Sequence, residues 1–310
     1  MLSDAPFEVP PYLLDRAKGL ARVPMAVAGA GNQVVLESVR QAAEAGLIDP
    51  VLVGDADAIR RLARDAGWDI SGYRVVDTGE TDEAAAARAA VALARGNEVD
   101  ALMKGHVHTD ALMAAVVNRD AGLRTGRRLS HVFHMTVPGS DRVLMITDGA
   151  VNVAPDEGTL IDITNNAVGL CHALGNSKPH VALLSGTENP IPAMPSSLQA
   201  RAVVSRAQAG EVPGAVIDGP FAFDNAVSPE AARLKGIDSP VAGNADILVV
   251  PNIETGNGLF KMMVYFMSGL AAGVVLGAKV PIVLTSRADP PEARFAATAI
   301  AAIAASETAI

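Results

Sequence analysis

The stretch ADILVVPNIETGNGLFK, residues 245–261, decides the fold. Ile247–Val250 is a solid apolar run. It breaks into a polar turn, Pro251-Asn252-Ile253-Glu254-Thr255-Gly256-Asn257-Gly258, and that turn opens a helix that includes Lys261. A short, uniformly apolar strand marks a strand covered on both faces, and a helix directly after it is half of a strand–helix–strand unit. The same pattern runs outward in both directions. Candidate strands are Met25–Ala28, Val51–Gly54, Tyr73–Val76, Asp100–Met103, Val132–Val137, Val143–Thr147, Val181–Ser185, Ala215–Asp218 and Pro281–Leu284. Between most of them lie helix-length stretches, such as Asn32–Ala45 with a stop at Gly46, and Thr81–Arg95 with Thr81 as N-cap and Gly96 beyond the end. Repeated strand–helix units imply an α/β fold with mostly parallel sheets and right-handed crossovers.

Bulk properties narrow the function classes. The chain has 310 residues, enough for one large or two ordinary domains. Half of them are hydrophobic and 19% are charged, which supports a large core rather than disorder. A net charge of -9 argues against general nucleic-acid binding but allows a local cationic pocket. The lone Cys171 excludes an internal disulfide, fits a reducing cytoplasm and reads as a buried structural thiol. The N-terminus has early acids and prolines and does not read as a signal peptide. Met262–Ala278 is an uncharged run carrying Gly269, Gly273 and Gly277. It is slightly short for a membrane span and reads as a buried helix whose glycine stripe admits a close neighbour, a dimer interface being one such place. The turn Pro138-Gly139-Ser140-Asp141, between two strands that can pair as a hairpin, is the best boundary signal.

Five strand ends carry polar clusters, and in a parallel sheet such ends face one side, where ligands bind. Lys104-Gly105-His106-Val107-His108-Thr109 follows one strand, Asp148 with Asn152 a second and Asp218-Gly219-Pro220 a third. Gly256-Asn257-Gly258 with Lys261 follows a fourth; glycines at a helix start free N–H groups for an anion, or simply cap the helix. Thr285-Ser286-Arg287-Ala288-Asp289 follows the fifth, combining a hydroxyl, a guanidinium and a carboxylate. The densest basic segment, Arg124-Thr125-Gly126-Arg127-Arg128-Leu129-Ser130-His131, interleaves hydroxyls with arginines and suits a polyphosphate. His106, His108, His131 and His134 have spacings too common to specify a metal, and no cysteine or carboxylate set completes a shell, so no metal is expected. Gly29-Ala30-Gly31 lacks the third glycine of a dinucleotide fingerprint, because Val34 stands there.

On these residues the chain resembles the phosphate acetyltransferase/phosphate butyryltransferase family. The likeness rests on LMKGHVHTDAL (102–112), GLRTGRRLSHVF (122–133), ITDGAVNVAP (146–155), DGPFAFDNAVS (218–228), ADILVVPNIETGNGLFK (245–261) and PIVLTSRAD (281–289), and the wording of 122–131 and 218–225 resembles the butyryl branch more. The resemblance implies two α/β domains of the isocitrate/isopropylmalate dehydrogenase type with an interdomain cleft. These would be residues 1–137 plus 286–310 and residues 138–285, the second serving homodimerisation. It implies reversible transfer of a short acyl group, butyryl or acetyl, between acyl-coenzyme A and phosphate. Coenzyme A would be substrate and product, no cofactor would be permanently bound, and the setting would be cytoplasmic, without nucleic acid or membrane partners. Ser286 would hydrogen-bond the coenzyme sulfur or the developing oxyanion, Arg287 would hold phosphate, and Asp289 or Glu292 would take the thiol proton. Lys104, Gly105, Thr109, Arg124, Thr125, Ser130, His131, Asp148, Asn152, Asp218, Gly256, Asn257 and Lys261 would contact phosphate or coenzyme A. Met113 stands where the acetyl branch has an arginine, which implies a wider, more apolar acyl pocket. Two other readings stay open: a metal- and NAD(P)-dependent dehydrogenase of related fold, and a non-catalytic relative that only binds coenzyme A or acyl phosphate.

Overall fold

The computed structural model describes residues 3–79, 82–285 and 289–308. In chain order the elements are α1 Pro11–Lys18, β1 Val23–Ala28, α2 Gln33–Glu44, β2 Ile48–Gly54, α3 Ala56–Asp65, β3 Val75–Asp77, α4 Glu83–Arg95, β4 Ala101–Lys104 and α5 Thr109–Val116. There follow β5 Ser130–Thr136, β6 Leu144–Thr147, α6 Glu157–Ala173, β7 His180–Leu184, α7 Pro195–Arg206, β8 Val216–Phe221, α8 Phe223–Val227, α9 Pro229–Leu234 and β9 Ile247–Val249. The chain closes with α10 Ile253–Met267, β10 Leu270–Leu276, β11 Ile282–Val283 and α11 Pro291–Thr308.

Two compact units result. One, here the terminal unit, comprises Val9–Arg127 and the chain from Ala272 onward. The other, the central unit, comprises Arg128–Ala271 and the residues up to Glu8. Strand pairing explains why the crossings fall there rather than at 137/138 and 285/286. β5 pairs antiparallel with β6, so residues 130–136 stay with the central unit. β11 pairs with β4 and β10 with β11, so the segment from Ala272 stays with the terminal unit.

In the terminal unit the strand order is β3-β2-β1-β4-β11-β10, parallel except for β10. The central unit has the order β5-β6-β9-β7-β8, parallel except for β5. The apolar runs behave as expected of strands covered on both faces: Met25, Ala26, Val27 and Ala28 of β1 are all fully buried. Helices start where the sequence supplies an N-cap. Asn32 accepts from Val34 N and Val35 N, and Asp156 accepts from Thr159 N. Gly46, with φ +77, stands just after α2. Asp82 caps α4, and the expected cap Thr81 lies outside the described residues.

The run 262–278 departs from its reading as one buried helix. α10 ends at Ser268 in a left-handed conformation (φ 49), Gly269 N returns to Met263 O at 2.9 Å, and the chain continues as β10. Val274 and Val275 pair with β11, which suits β-branched residues better than a helix does. Nor is α10 buried: Phe260, Met263 and Val264 pack on the central core, while Met262, Tyr265, Phe266 and Met267 are exposed. Among the described residues, no helix is long and apolar enough to cross a membrane.

Candidate functional site

In the terminal unit, β1, β4 and β11 lie side by side and parallel, so the segments after Ala28, Lys104 and Val283 leave at one edge. The segment after β4 crosses the segment after β1 almost backbone to backbone. Gly105 N donates to Ala28 O at 2.9 Å and His106 N to Gly29 O at 2.8 Å. A Cβ on Gly105 would stand 2.5 Å from Gly29 O, so only glycine fits there. Gly29, at φ +78, would carry a Cβ 2.9 Å from His106 O. The first glycine of the weak fingerprint therefore serves this crossing. Lys104 lies over the same turn, donating to Gly105 O and Val107 O at 3.4 Å. Glu83 fixes the far end by accepting from His108 N at 2.6 Å, and Thr109 then opens α5, exposed.

Ser286 and Arg287 lie outside the described residues. The chain enters that corner from buried Thr285 and leaves it at Asp289. Asp289 O accepts from Arg294 Nη1 on α11, and Arg294 Nε donates to Ser38 Oγ on α2 at 2.9 Å. Glu292 sits in the first turn of α11, half-buried. Near the end of β10, Thr125 donates its hydroxyl to Gly277 O at 2.7 Å and accepts from Arg127 N at 3.1 Å. The Thr125 hydroxyl is thus committed to loop structure, and the neighbouring Arg124 and Arg127 are exposed.

In the central unit, the segments after β6 and β9 also leave side by side. Asp148 is buried, and its carboxylate accepts from Ala150 N, Val151 N, Asn152 N and Asn152 Nδ2 at 2.7–3.1 Å. Four donors meet the acceptor capacity of an ionised carboxylate, so Asp148 folds its own loop and presents that loop's backbone. Asn152 Nδ2 also donates to Leu129 O at 2.8 Å, tying the basic segment to this loop. Ser130 is fully buried and accepts from Asn166 Nδ2 at 2.9 Å. His131, also buried, points to the other face of β5, 4.1 Å from the ring of Phe133, which stacks at 3.8 Å on Phe260.

The helix after β9 starts earlier than its sequence suggests. Asn252 is the cap, accepting from Thr255 N at 2.9 Å, so Gly256-Asn257-Gly258 already lie inside α10. Gly256 has a packing reason to be glycine: its Cβ would stand 2.7 Å from Gly149 Cα and 2.8 Å from Asp148 O. Asn257 Nδ2 donates to Gly149 O at 3.3 Å across the same contact. Lys261 is exposed, 6.0 Å from the centre of the Phe260 ring. Asp218, expected at a strand end, lies inside β8 instead. The strand continues through Gly219-Pro220 to Phe221 with a register shift against β7, which a proline tolerates on an edge strand. Its carboxylate accepts from Gly219 N at 2.8 Å and faces Arg201 at 3.7 Å.

The structure therefore gathers Lys104, Gly105, Thr109, Asp289 and Glu292 around neighbouring strands of one unit, and Asp148, Asn152, Gly256, Asn257, Ser130 and His131 in the other. Sequence reasoning missed Ser38, Glu83, Asn166 and Arg294, each joined to the site by a contact distant in sequence. Arg294 alone carries a local signal, since a cation in the opening turns of a helix opposes the macrodipole. His106 and His108 are exposed, and among the described residues no three His, Cys, Asp or Glu side chains gather in a metal-sized group. Cys171 is buried and its thiol is pushed up to about 12 by burial and by the nearby Asp246 charge.

Comparison with known proteins adds an independent line. The family model described as phosphate acetyl/butaryl transferase matches residues 80–302. A phosphate acetyltransferase of Rhizobium meliloti is 46% identical over 291 residues, covering 94% of this chain and 92% of its own. A phosphate butyryltransferase of Clostridium acetobutylicum is 41% identical over 281 residues, covering 91% and 93%. Among solved structures, a branched-chain phosphotransacylase of Enterococcus faecalis superposes with a TM-score of 0.78 at 32% identity, covering 91% of this chain and 99% of that one. Identity to the acetyl relative exceeds that to the butyryl relative, so overall similarity does not assign the acyl group.

Proposed function

The chain belongs to the phosphate acetyl/butyryltransferase family, and on that footing we propose how its residues divide the reaction. The protein is a transferase that moves an acyl group reversibly between acyl-coenzyme A and inorganic phosphate. The observation that carries this is the family match over residues 80–302, which spans both sets of strand-end residues.

Phosphate must attack a thioester carbonyl, or in reverse a thiolate must attack an acyl phosphate. Both directions need an anion held still, a stabilised oxyanion and a proton acceptor for the thiol. Ser286 supplies the hydrogen bond to the sulfur or the oxyanion, and Arg287 holds phosphate. Asp289 or Glu292 takes the proton. In the terminal unit Lys104 and Thr109, and in the central unit Asn257 and Lys261, are the candidates to contact phosphate or coenzyme A, while Asn152, whose amide N–H groups go to Leu129 O and Asp148 Oδ2, belongs to the framework. Thr125 and Asp148 act as framework in this reading, because their polar atoms are already engaged; Ser130 is buried and accepts from Asn166, and Asp218 is tied through Oδ1 to Gly219 N and Arg201. Coenzyme A enters and leaves as substrate and product, with no permanently bound cofactor. The two parallel-sheet units support an isocitrate/isopropylmalate dehydrogenase-type fold. The exposed apolar face of α10 supports homodimerisation through the central unit: Tyr265 is 51% and Phe266 56% accessible. A cytoplasmic setting follows from the substrates, which are charged and membrane-impermeant.

The test is release of free thiol from acetyl-, propionyl-, butyryl- and branched acyl-coenzyme A, with and without phosphate. Phosphate-dependent release is expected, with a loss on the order of a hundredfold in Ser286→Ala. Asp289→Asn and Glu292→Gln, compared side by side, identify the base by the larger fall in kcat. Binding of coenzyme A without phosphate-dependent release from any of these thioesters would establish the non-catalytic reading instead.

A further inference from the structure

The far edge of the terminal sheet holds a cleft separate from the strand-end residues. Its volume is about 440 Å³, within the range of small-molecule sites, and it lies between α3 and the chain entering the edge strand β3. Arg60 and Arg64 stand one turn apart on α3, so both guanidiniums line the same wall. Trp68 and Tyr73 add an aromatic pair, with ring centres 5.5 Å apart and planes tilted by 49°. Trp68 is buried and Tyr73 half-buried, so the pair is a fixed wall with one ring partly open. The one carboxylate in the lining is Asp69, which accepts from Ser71 N at 2.9 Å and so shapes the loop between α3 and β3. Two cations against one acid make the cleft locally cationic in a chain of net charge -9. Arg64 is exposed and, among the described residues, makes no ion pair. Arg60 reaches Asp57 at 3.7 Å, but both side chains are exposed, and such a pair holds the guanidinium weakly.

We propose that this cleft binds a nucleoside phosphate, a ligand that joins a planar base to a phosphate. Each part of the lining answers one part of such a ligand. The two guanidiniums take phosphate oxygens through their forked N–H donors. The partly open Tyr73 ring, held by its contact with Trp68, packs against the base. Inorganic phosphate would leave the aromatic wall unused, and a purely apolar ligand would leave both guanidiniums unused. The cleft belongs entirely to the terminal unit. In the sheet, β2 and β1 separate β3 from β4, so the cleft stands apart from the Lys104 turn. It is therefore a second site, whichever residues carry acyl transfer. Coenzyme A also ends in an adenosine phosphate, so the same chemistry has two sources, a free nucleotide or the coenzyme.

Trp68 is the only tryptophan in the chain, so tryptophan emission reads this cleft directly. The experiment titrates the full chain with AMP, ADP, ATP, coenzyme A and inorganic phosphate, recording emission and calorimetry together. A saturable change in Trp68 emission is expected with an adenine nucleotide, at a Kd about tenfold or more below that for inorganic phosphate. Arg60→Ala and Arg64→Ala, helix-compatible changes on an exposed face, should each raise that Kd about tenfold, the loss of one charged hydrogen-bonding group. Tyr73→Leu should raise it severalfold and leave phosphate binding unchanged. A coenzyme A response as tight as the nucleotide's and equally dependent on Arg64 makes the coenzyme the occupant, and no response to it makes a free nucleotide the occupant. No binding in either readout overturns the site. So does nucleotide binding that leaves Trp68 emission unchanged or ignores both arginine substitutions. Phosphate binding as tight as the nucleotide's overturns the ligand class. Thiol release without added nucleotide should match wild type in Arg64→Ala, whereas a raised KM for acyl-coenzyme A would merge the cleft with the reaction site and overturn its separate role.

Discussion

The contact between Gly149 and Gly256 gives the sharpest prediction, because the added atom of Gly256→Ala meets main chain on the far side. Its Cβ would stand 2.7 Å from Gly149 Cα and 2.8 Å from Asp148 O, against the 3.4 Å at which ordinary contact begins. Neither atom is the end of a side chain that can rotate away, so the start of α10 must move off the Asp148 loop by about 0.7 Å. Overpacking of this kind costs about 1–3 kcal/mol, and replacing a helical glycine by alanine returns up to about 1 kcal/mol. A net loss of about 1–2 kcal/mol lowers Tm by a few degrees in a protein of this size. The loss in rate should be larger. Asn257 and Lys261 ride on the displaced turns, and a shift approaching 1 Å costs up to about a hundredfold in kcat/KM. Gly258→Ala is the matched control: nothing lies within 4 Å of its added Cβ, so it should hold or raise Tm by a degree or two. Calorimetry with the thiol-release assay reads both variants. A Gly256→Ala protein with wild-type Tm and wild-type rate would refute the claim that this crossing positions the site.

Burial pushes the fully buried His134 imidazole down to about 4 from its usual 6.5. Between those values the unfolded chain takes up a proton that the folded chain refuses, so stability should fall as pH drops from 6.5 towards 4, by at most roughly 3 kcal/mol, with no contribution above that window. Urea unfolding across this range should show a shallower acid slope for His134→Gln than for wild type, and identical slopes would remove His134 from the account. For the α10 face, Phe266→Glu should shift the sedimenting species from dimer to monomer at micromolar concentration, whereas an unchanged mass would place the dimer contact elsewhere or nowhere.

How far the sequence was legible depended on where each residue's partners lie along the chain. β1 and β9 were readable because a short, uninterrupted apolar run followed by a polar turn fits a doubly covered strand and little else, and α2 because Asn32 and Gly46 mark both its ends. The end of α10 was not. Nothing in Met267-Ser268-Gly269 announces a left-handed serine, and glycines four apart in an uncharged run imitate a helical stripe that the structure replaces with β10. Asp218 misled for a related reason: Gly219-Pro220 reads as a turn, yet an edge strand can carry it. At the site, the glycines at 105 and 256 were found as glycines, but their work is to let two backbones cross, which depends on residues 29 and 149. The long-range partners were invisible because they are far off along the chain: Ser38 lies 256 residues from Arg294, and Asn166 lies 36 from Ser130.

Polar residue type alone also overstates the chemistry. Asp148 and Thr125 both looked like ligands for a substrate, and each is already satisfied within its own unit. What separates a substrate contact from a frame in such a motif is unspent hydrogen-bonding capacity. A carboxylate with four N–H donors around it has little left to offer a phosphate or a thiol, whatever its position in the sequence. Among the described residues, the side chains of Arg124, Arg127 and Lys261 are exposed and make no ion pair. Surface pairs contribute little to stability, so leaving these three unpaired costs the fold almost nothing.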